Sequence, residues 1–418
     1  MNLLIKSAKI IDSQSRFHQK TQDILIENGK FSKIATTIKN GKGFKEVKLE
    51  NLHVSAGWFD TSVSFGEPGF EERETILNGL KVAAKSGFTA VALNANTNPL
   101  IDNKSAVEFL ISKATNNVVA LYPIANLTQG AKGEELAELY DMLSSGAIAF
   151  GDYNTSIGNA NLMKIALLYA QNFDGLVLSF PQNDSLANNG FANESVNTTK
   201  LGLKANPSVA EELQIARDLF LLEYTGGKLH IPTVSTAKSV KLIAEAKKKG
   251  LDVTCSVSAH HLCLTDAELE SFNTSYKVSP PLRSKSDLNA LIKSIHNGTI
   301  DMITSDHNPL DVEHKKVEFE NAFDGTIGLE SLFGAVNTVL DLEQTIKCLT
   351  VQPRSRFGIK NPTIDIGKTA DLTLFTPKLE YIFEEKHIVS TSKNSAFVGK
   401  KLNGKAYGVF ANNRLVLH

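Results

Sequence analysis

Between residues 56 and 307, short apolar runs alternate with longer helical stretches, and the alternation repeats eight times. The runs are 56–64, 88–95, 118–125, 147–153, 175–180, 228–235, 252–259 and 302–307. Strands joined by helical crossovers pair in parallel. Eight such units close economically as an α/β fold, a (β/α)8 TIM-type barrel, predicted over 56–355. The flanks differ. Residues 1–55 and 356–418 read as strands and turns, for example 2–11 and 22–27 with the turn signal Asn28-Gly29. The two ends are expected to build one small β-sandwich beside the barrel.

Local punctuation supports the helices. Pro207-Ser208 opens one, with Glu211 placed to complete a capping box with Ser208. Lys247-Lys248-Lys249-Gly250 closes another, with cations at the negative end of the dipole. The 418 residues carry a net charge of −1 with scattered Lys and Arg, which argues against a nucleic-acid footprint. Three cysteines lie in no paired spacing, and no apolar run approaches the ~20 residues that span a bilayer. A reduced, cytoplasmic protein without a signal peptide is expected.

The most informative segment ends the first predicted barrel strand: Gly57-Trp58-Phe59-Asp60-Thr61-Ser62-Val63-Ser64-Phe65-Gly66-Glu67-Pro68-Gly69. It resembles the opening signature of the dihydroorotases and related cyclic amidohydrolases, Asp-x-His-x-His followed by Arg-Glu-Pro-Gly. Asn94-Ala95-Asn96-Thr97-Asn98-Pro99 is similar to the family's Met-Pro-Asn-Thr-x-Pro. Leu229 to Thr236 resembles Leu-His-Ile-x-His-Val-Ser-Thr, and Val257 to Leu262 resembles Val-Thr-Pro-His-His-Leu. Ser279-Pro280-Pro281-Leu282-Arg283 and Ser305-Asp306-His307-Asn308-Pro309-Leu310 continue the likeness, with Gly328-Leu329-Glu330 beyond. The resemblance spans nearly the whole chain and implies the amidohydrolase kind of barrel.

It also implies a chemistry, and the site departs from it. Family members hold one or two zinc ions at the C-terminal mouth of the barrel. Their ligands are two first-strand histidines, a carboxylate or carboxylated lysine on strand four, histidines on strands five and six, and an aspartate on strand eight. By this alignment the four histidine positions are Ser62, Ser64, Phe180 and Thr233. Two acids remain, Asp152 and Asp306, the latter a vestigial form of the family's proton carrier. A catalytic zinc takes about three protein ligands, and neutral hydroxyls are poor ones. No zinc or other cofactor is therefore expected, and without zinc nothing brings the pKa of the attacking water toward about 7. Among the histidines, His307 and His314 are the best candidates for a rebuilt site, whereas adjacent His260 and His261 should diverge on extended backbone.

The family's substrate is a cyclic amide bearing a carboxylate, gripped by an Arg, an Asn and a His. Those positions are Gly66, Asn96 and Leu310, leaving Asn96 as a weak substrate contact. Arg283 could face the mouth or form a structural ion pair. Three functions follow. The first is a dihydroorotase-like protein of pyrimidine biosynthesis without zinc-dependent turnover, acting as a homodimer or as a structural subunit with aspartate carbamoyltransferase. The second is an active cyclic amidohydrolase with an atypical site around Asp152, Asp306 and His307. The third is a small-ligand barrel lined by Phe180 and Tyr153.

Overall fold

The computed structural model describes residues 2–41 and 43–418. Five strands open the chain: β1 (Leu3–Ile10), β2 (Thr21–Glu27), β3 (Lys30–Ala35), β4 (Lys45–Val47) and β5 (His53–Ala56). Eight (β/α) units follow. Their strands are β6 (Trp58–Val63), β7 (Phe88–Leu93), β8 (Ala120–Ala125), β9 (Ala149–Phe150), β10 (Leu176–Leu178), β11 (Lys228–Ile231), β12 (Val253–Ser258) and β13 (Met302–Thr304). Each pairs in parallel with the next. The ring closes where Val63 bridges His307 and the Ser64 N–H donates to the His307 carbonyl at 2.7 Å. The helices after these strands include α1 (Ile76–Lys85), α2 (Lys104–Ala114), α3 (Leu139–Ser144), α4 (Ala160–Ala170), α5 (Ser208–Thr225), α6 (Ala237–Lys248), α7 (Lys285–His296) and α8 (Leu342–Leu349). The fold is the (β/α)8 barrel expected from the alternation.

The C-terminal strands β14 (Leu372–Ile382), β15 (Lys401–Ala411) and β16 (Arg414–Leu417) return to the N-terminal ones. Together they form one mixed eight-stranded sheet ordered β16-β15-β14-β5-β1-β2-β3, with β4 beside β1. Leu3, Ile5, Ile24, Ile26, Val54, Leu374 and Phe410 share a core of their own. Phe375 and Val409 belong instead to the core of the barrel. Among the described residues, no helix is long and apolar enough to cross a membrane.

The helix ends follow the sequence in part. α6 ends in Lys247 and Lys248, with Gly250 at φ +82° beyond it. The capping box expected from Ser208 and Glu211 does not form. Pro207 caps α5 without a side-chain bond, and Glu211 is buried. Its carboxylate instead accepts from the Ser235 and Thr236 N–H groups at 2.9 and 3.1 Å.

A tight joint connects sheet and barrel. A Cβ at Gly57 would lie 2.0 Å from both Asp371 and Thr89, so only glycine fits between β5 and β6. Arg354 donates to the Gly57 carbonyl at 3.1 Å and to the Thr89 hydroxyl at 3.0 Å. Next in the chain, Trp58 is fully buried, packs on Phe88, Phe333 and Phe375, and donates from Nε1 to Ser55 at 2.9 Å. Trp58→Ala should cost about 3–5 kcal/mol, as expected for a buried Trp truncation. A denaturant midpoint equal to that of the parent protein would contradict this role.

Candidate functional site

Alternate strand ends project into the C-terminal mouth, where Ser62, Asn94, Tyr153, Phe180, Thr233 and Asp306 line a small cavity. Its free volume is about 30 Å³, room for a water or two when one needs about 10–15 Å³. Ile124, Leu178 and Pro232 add apolar wall, and His230 and Ser256 line it as well. Among the described residues, no lysine or arginine lines it.

The polar groups form one connected network. The Ser62 hydroxyl donates to Asp306 Oδ1 at 3.1 Å, and the Asn94 amide donates to the Ser62 and Ser64 hydroxyls at 3.1 and 3.2 Å. Ser64 also opposes the rise in the Tyr153 phenol's pKa. Burial pushes the Asp306 carboxyl up to about 7, with the Ser62 hydroxyl opposing the shift and Asp60 adding to it. Burial and the Asp306 charge likewise hold the Tyr153 phenol protonated. Burial keeps His230 neutral, with Thr254 and Ser256 hydroxyls at 2.9 and 3.2 Å from its two ring nitrogens.

Three lining residues carry left-handed backbone: Tyr153 at φ +53°, Thr233 at +48° and Asp306 at +48°. For a β-branched residue such as Thr233 this is an uncommon conformation. Such backbone costs of order 1–3 kcal/mol per residue and persists where the surroundings over-determine it. All three sit just past the ends of barrel strands β9, β11 and β13, where the chain turns away from the ring.

The other expected site residues stand apart from this cavity. Asp152 is turned into the loop after β8. Its Oδ1 accepts from the Leu127 N–H at 2.8 Å, and its Oδ2 accepts from the Thr128 hydroxyl at 2.5 Å. His307 Nδ1 accepts from the Gly328 N–H at 3.2 Å, and burial depresses the imidazole to about 4. A combined site of Asp152, Asp306 and His307 is therefore not assembled. Asn96 is absent from the cavity lining, and its Oδ1 is buried without a partner. Asn94, two residues earlier, is the amide that reaches the mouth. His314 pairs with Asp311 at 2.6 Å outside the mouth. His260 and His261 do not diverge: β12 stops at Ser258, which caps a short helix over Ala259–Cys263, and the two rings lie 4.6 Å apart. Arg283 is buried with Glu211 at 3.9 Å and donates to the Asn206 carbonyl at 2.8 Å, away from the mouth.

These donors do not fit a catalytic zinc. The mouth offers one carboxylate, hydroxyls and an amide, and both nitrogens of His230 already have hydroxyl partners. Among the described residues, no group of three or more His, Cys, Asp or Glu side chains is placed to hold a metal ion. The first-strand loop is likewise built for glycine at 66. A Cβ there would lie 1.8 Å from the Phe70 carbonyl, which sits where Phe70 N–H turns back to Gly66 O at 2.8 Å.

A dihydro-orotase-like family model matches residues 53–239. Dihydroorotase from Ruminiclostridium cellulolyticum is 39% identical over 412 residues, covering 97% of this chain and 96% of that protein. The chain belongs to the dihydroorotase family. Dihydroorotase from Acetivibrio thermocellus is 38% identical over 422 residues, covering 99% of each. Among solved structures, an L-hydantoinase (dihydropyrimidinase) from Arthrobacter aurescens superposes with a TM-score of 0.86 at 21% identity, over 100% of this chain and 96% of that one, a likeness of fold.

Two outcomes follow for this dihydroorotase-family mouth. An acid with a raised folded-state pKa holds its proton more tightly folded than unfolded. Asp306 therefore costs stability as pH climbs from its ordinary 3.8 to about 7, and the cost is fully present above 7. The melting temperature of Asp306→Asn relative to the parent should rise across that window and level off above it; a constant difference between pH 4 and 8 would contradict the assignment. Gly66→Arg should lower the melting temperature, because the Phe70 turn must open, and should confer no affinity for a carboxylate ligand. Calorimetric binding of a dicarboxylate by a stable variant would overturn that expectation.

Proposed function

We propose that this dihydroorotase-family chain acts in pyrimidine biosynthesis without zinc-dependent ring opening, as an architectural subunit. The observation that carries this reading is the donor set at the mouth, where Ser62, Phe180 and Thr233 line the cavity with a single acid, Asp306, and Ser64 bonds the Asn94 amide. The absence of a cationic group from the lining supports it further. A carboxylate substrate entering this apolar, water-poor space would face Asp306 with no positive partner, and unpaired buried charge is costly. The partner proposed is aspartate carbamoyltransferase, or a second copy of the chain.

One observation favours a second reading. Asp306, held near neutral pKa beside the Ser62 hydroxyl, has the proton affinity of a general base at pH 7. The relatives named dihydroorotase give that reading its substrate class. On it, Asp306 would take a proton from water as it attacks the carbonyl carbon of a cyclic amide and return that proton to the ring nitrogen as the C–N bond breaks, without a Lewis acid to polarise the carbonyl.

A ring-opening assay on dihydroorotate, run with and without added zinc, separates the two. The architectural reading expects no turnover above background in either condition, and stabilisation of the carbamoyltransferase when the two are mixed. Turnover that disappears in Asp306→Asn would establish the enzyme reading instead.

A further inference from the structure

A second pocket lies where the barrel meets the sheet, and its lining shares no residue with the mouth. Lys85 ends α1, Glu330 comes just before the short helix Leu332–Val336, and Gly334 lies within that helix. Tyr381 comes from β14, Lys405 from β15 and His387 from the turn Glu385–His387. The charges in this pocket are left uncompensated. Among the described residues, the Lys85 and Lys405 ammoniums make no ion pair or hydrogen bond, although both side chains are half-buried. A charge withdrawn from water normally finds a partner. The end of α1 offers Lys85 the negative pole of a helix dipole, whereas Lys405 lies within a strand and has no such support. Burial and the Lys85 charge lower Lys405 below its ordinary value. Burial, Lys405 and Lys386 lower His387 in the same way, and burial with Lys405, Lys85 and His387 depresses His418 to about 4.

Two neutral donors line the same pocket unused. His387 Nδ1 accepts from the Glu384 N–H at 2.9 Å, so Nε2 carries the ring proton, and it has no protein partner. The Tyr381 hydroxyl makes no hydrogen bond either, and burial keeps it protonated, its pKa pushed up to about 12. A Cβ at Gly334 would lie 3.2 Å from that hydroxyl, so glycine keeps the space beside it open. One acceptor stands among these donors. Glu330 Oε1 accepts from the Val389 and Ser390 N–H groups at 3.1 and 2.9 Å, and its Oε2 is buried without a partner.

We infer that this pocket binds one hydrogenphosphate ion between the Lys85 and Lys405 ammoniums, the His387 and Tyr381 donors and the Glu330 carboxylate. The balance of donors and acceptors selects the ligand. The four donors serve the unprotonated oxygens, and Glu330 Oε2 takes the hydrogen bond of the P–OH. Sulfate has no proton to give and would set an anionic oxygen against the carboxylate. A carboxylate ligand likewise has no proton to offer Glu330. Size agrees. The free volume is about 20 Å³, where one water takes about 10–15 Å³. The flexible lysine stems can swing to admit a small ion, whereas a nucleotide is excluded. The ion joins α1 of the barrel to β14 and β15 of the sheet, so it stabilises the folded chain by mass action.

Isothermal titration calorimetry of the full chain in Hepes tests this, with sodium phosphate, sodium sulfate and glycerol 3-phosphate compared at equal ionic strength. Phosphate should bind with a stoichiometry of one and raise the melting temperature. Sulfate should bind about tenfold more weakly, because it leaves Glu330 Oε2 without a donor. Glycerol 3-phosphate should also bind more weakly, because every oxygen of the ion already has a partner. Lys405→Met keeps the stem and removes the charge, so it should weaken phosphate about tenfold. Its melting temperature in phosphate-free buffer should equal or exceed that of the parent, and Lys85→Met should weaken phosphate as well. In Glu330→Gln the side-chain amide can donate, so the preference for phosphate over sulfate should disappear. The comparison of anions on the parent chain needs no variant to fold. Absence of phosphate binding by the parent would overturn the inference. So would equal affinity for sulfate, tighter binding of glycerol 3-phosphate, or full affinity in both lysine variants.

Discussion

The barrel depends on one buried carboxylate. Asp60, on β6 and fully inaccessible, accepts from the Ser305 N–H at 3.0 Å, the Ser62 N–H at 3.2 Å and the Thr304 hydroxyl. These donors lie on the first and last strands of the ring, so a single side chain ties β6 to β13 at the seam. Burial pushes its pKa up while the donors oppose the shift. Charge-assisted bonds of this kind are about twice as strong as neutral ones. In the family's opening pattern this aspartate precedes the two histidine positions, and here the seam it closes is intact while serines follow it.

The seam also fixes what the mouth can be. By joining the ends of β6 and β13, it holds Ser62 within bonding distance of Asp306, and the Asn94 amide completes the network from β7. Ser62, Ser64, Asn94 and Asp306 bond one another in that chain, while the Thr61 hydroxyl of the same lining is buried without a partner. A metal would need these donors to turn from one another, and the hydroxyls would gain little from the exchange. The strained backbone at Tyr153, Thr233 and Asp306 belongs to the same arrangement, since each of these residues turns the chain out of the ring beside the cavity.

All eight barrel strands were legible in the sequence, because an apolar run between two amphipathic helices has few other places to go. The joining of both termini in one β unit beside the barrel was legible for a similar reason: among the described residues, neither 2–55 nor 357–418 contains an α-helix to bury its strands. Where sequence reasoning failed, a tertiary partner outweighed a local rule. Glu211 serves the Ser235 loop and lies near Arg283 rather than capping its own helix. Asp152 satisfies the Asn126–Thr128 turn rather than facing the mouth. His260 and His261 came together because Ser258 ended β12 and began a helical turn. Asn94 was hidden beside Asn96; the alternation of side chains from β7 could have favoured it, since residues two apart share a face only while the strand continues.

Zinc binding at the mouth is the most direct test of the central claim. Crystals grown with excess zinc and measured at the zinc absorption edge would locate any metal held by this chain. The account predicts no anomalous peak within bonding distance of Asp306, whatever binds at the surface. A full-occupancy peak about 2.0–2.2 Å from the Asp306 carboxylate, with two further protein ligands, would contradict it.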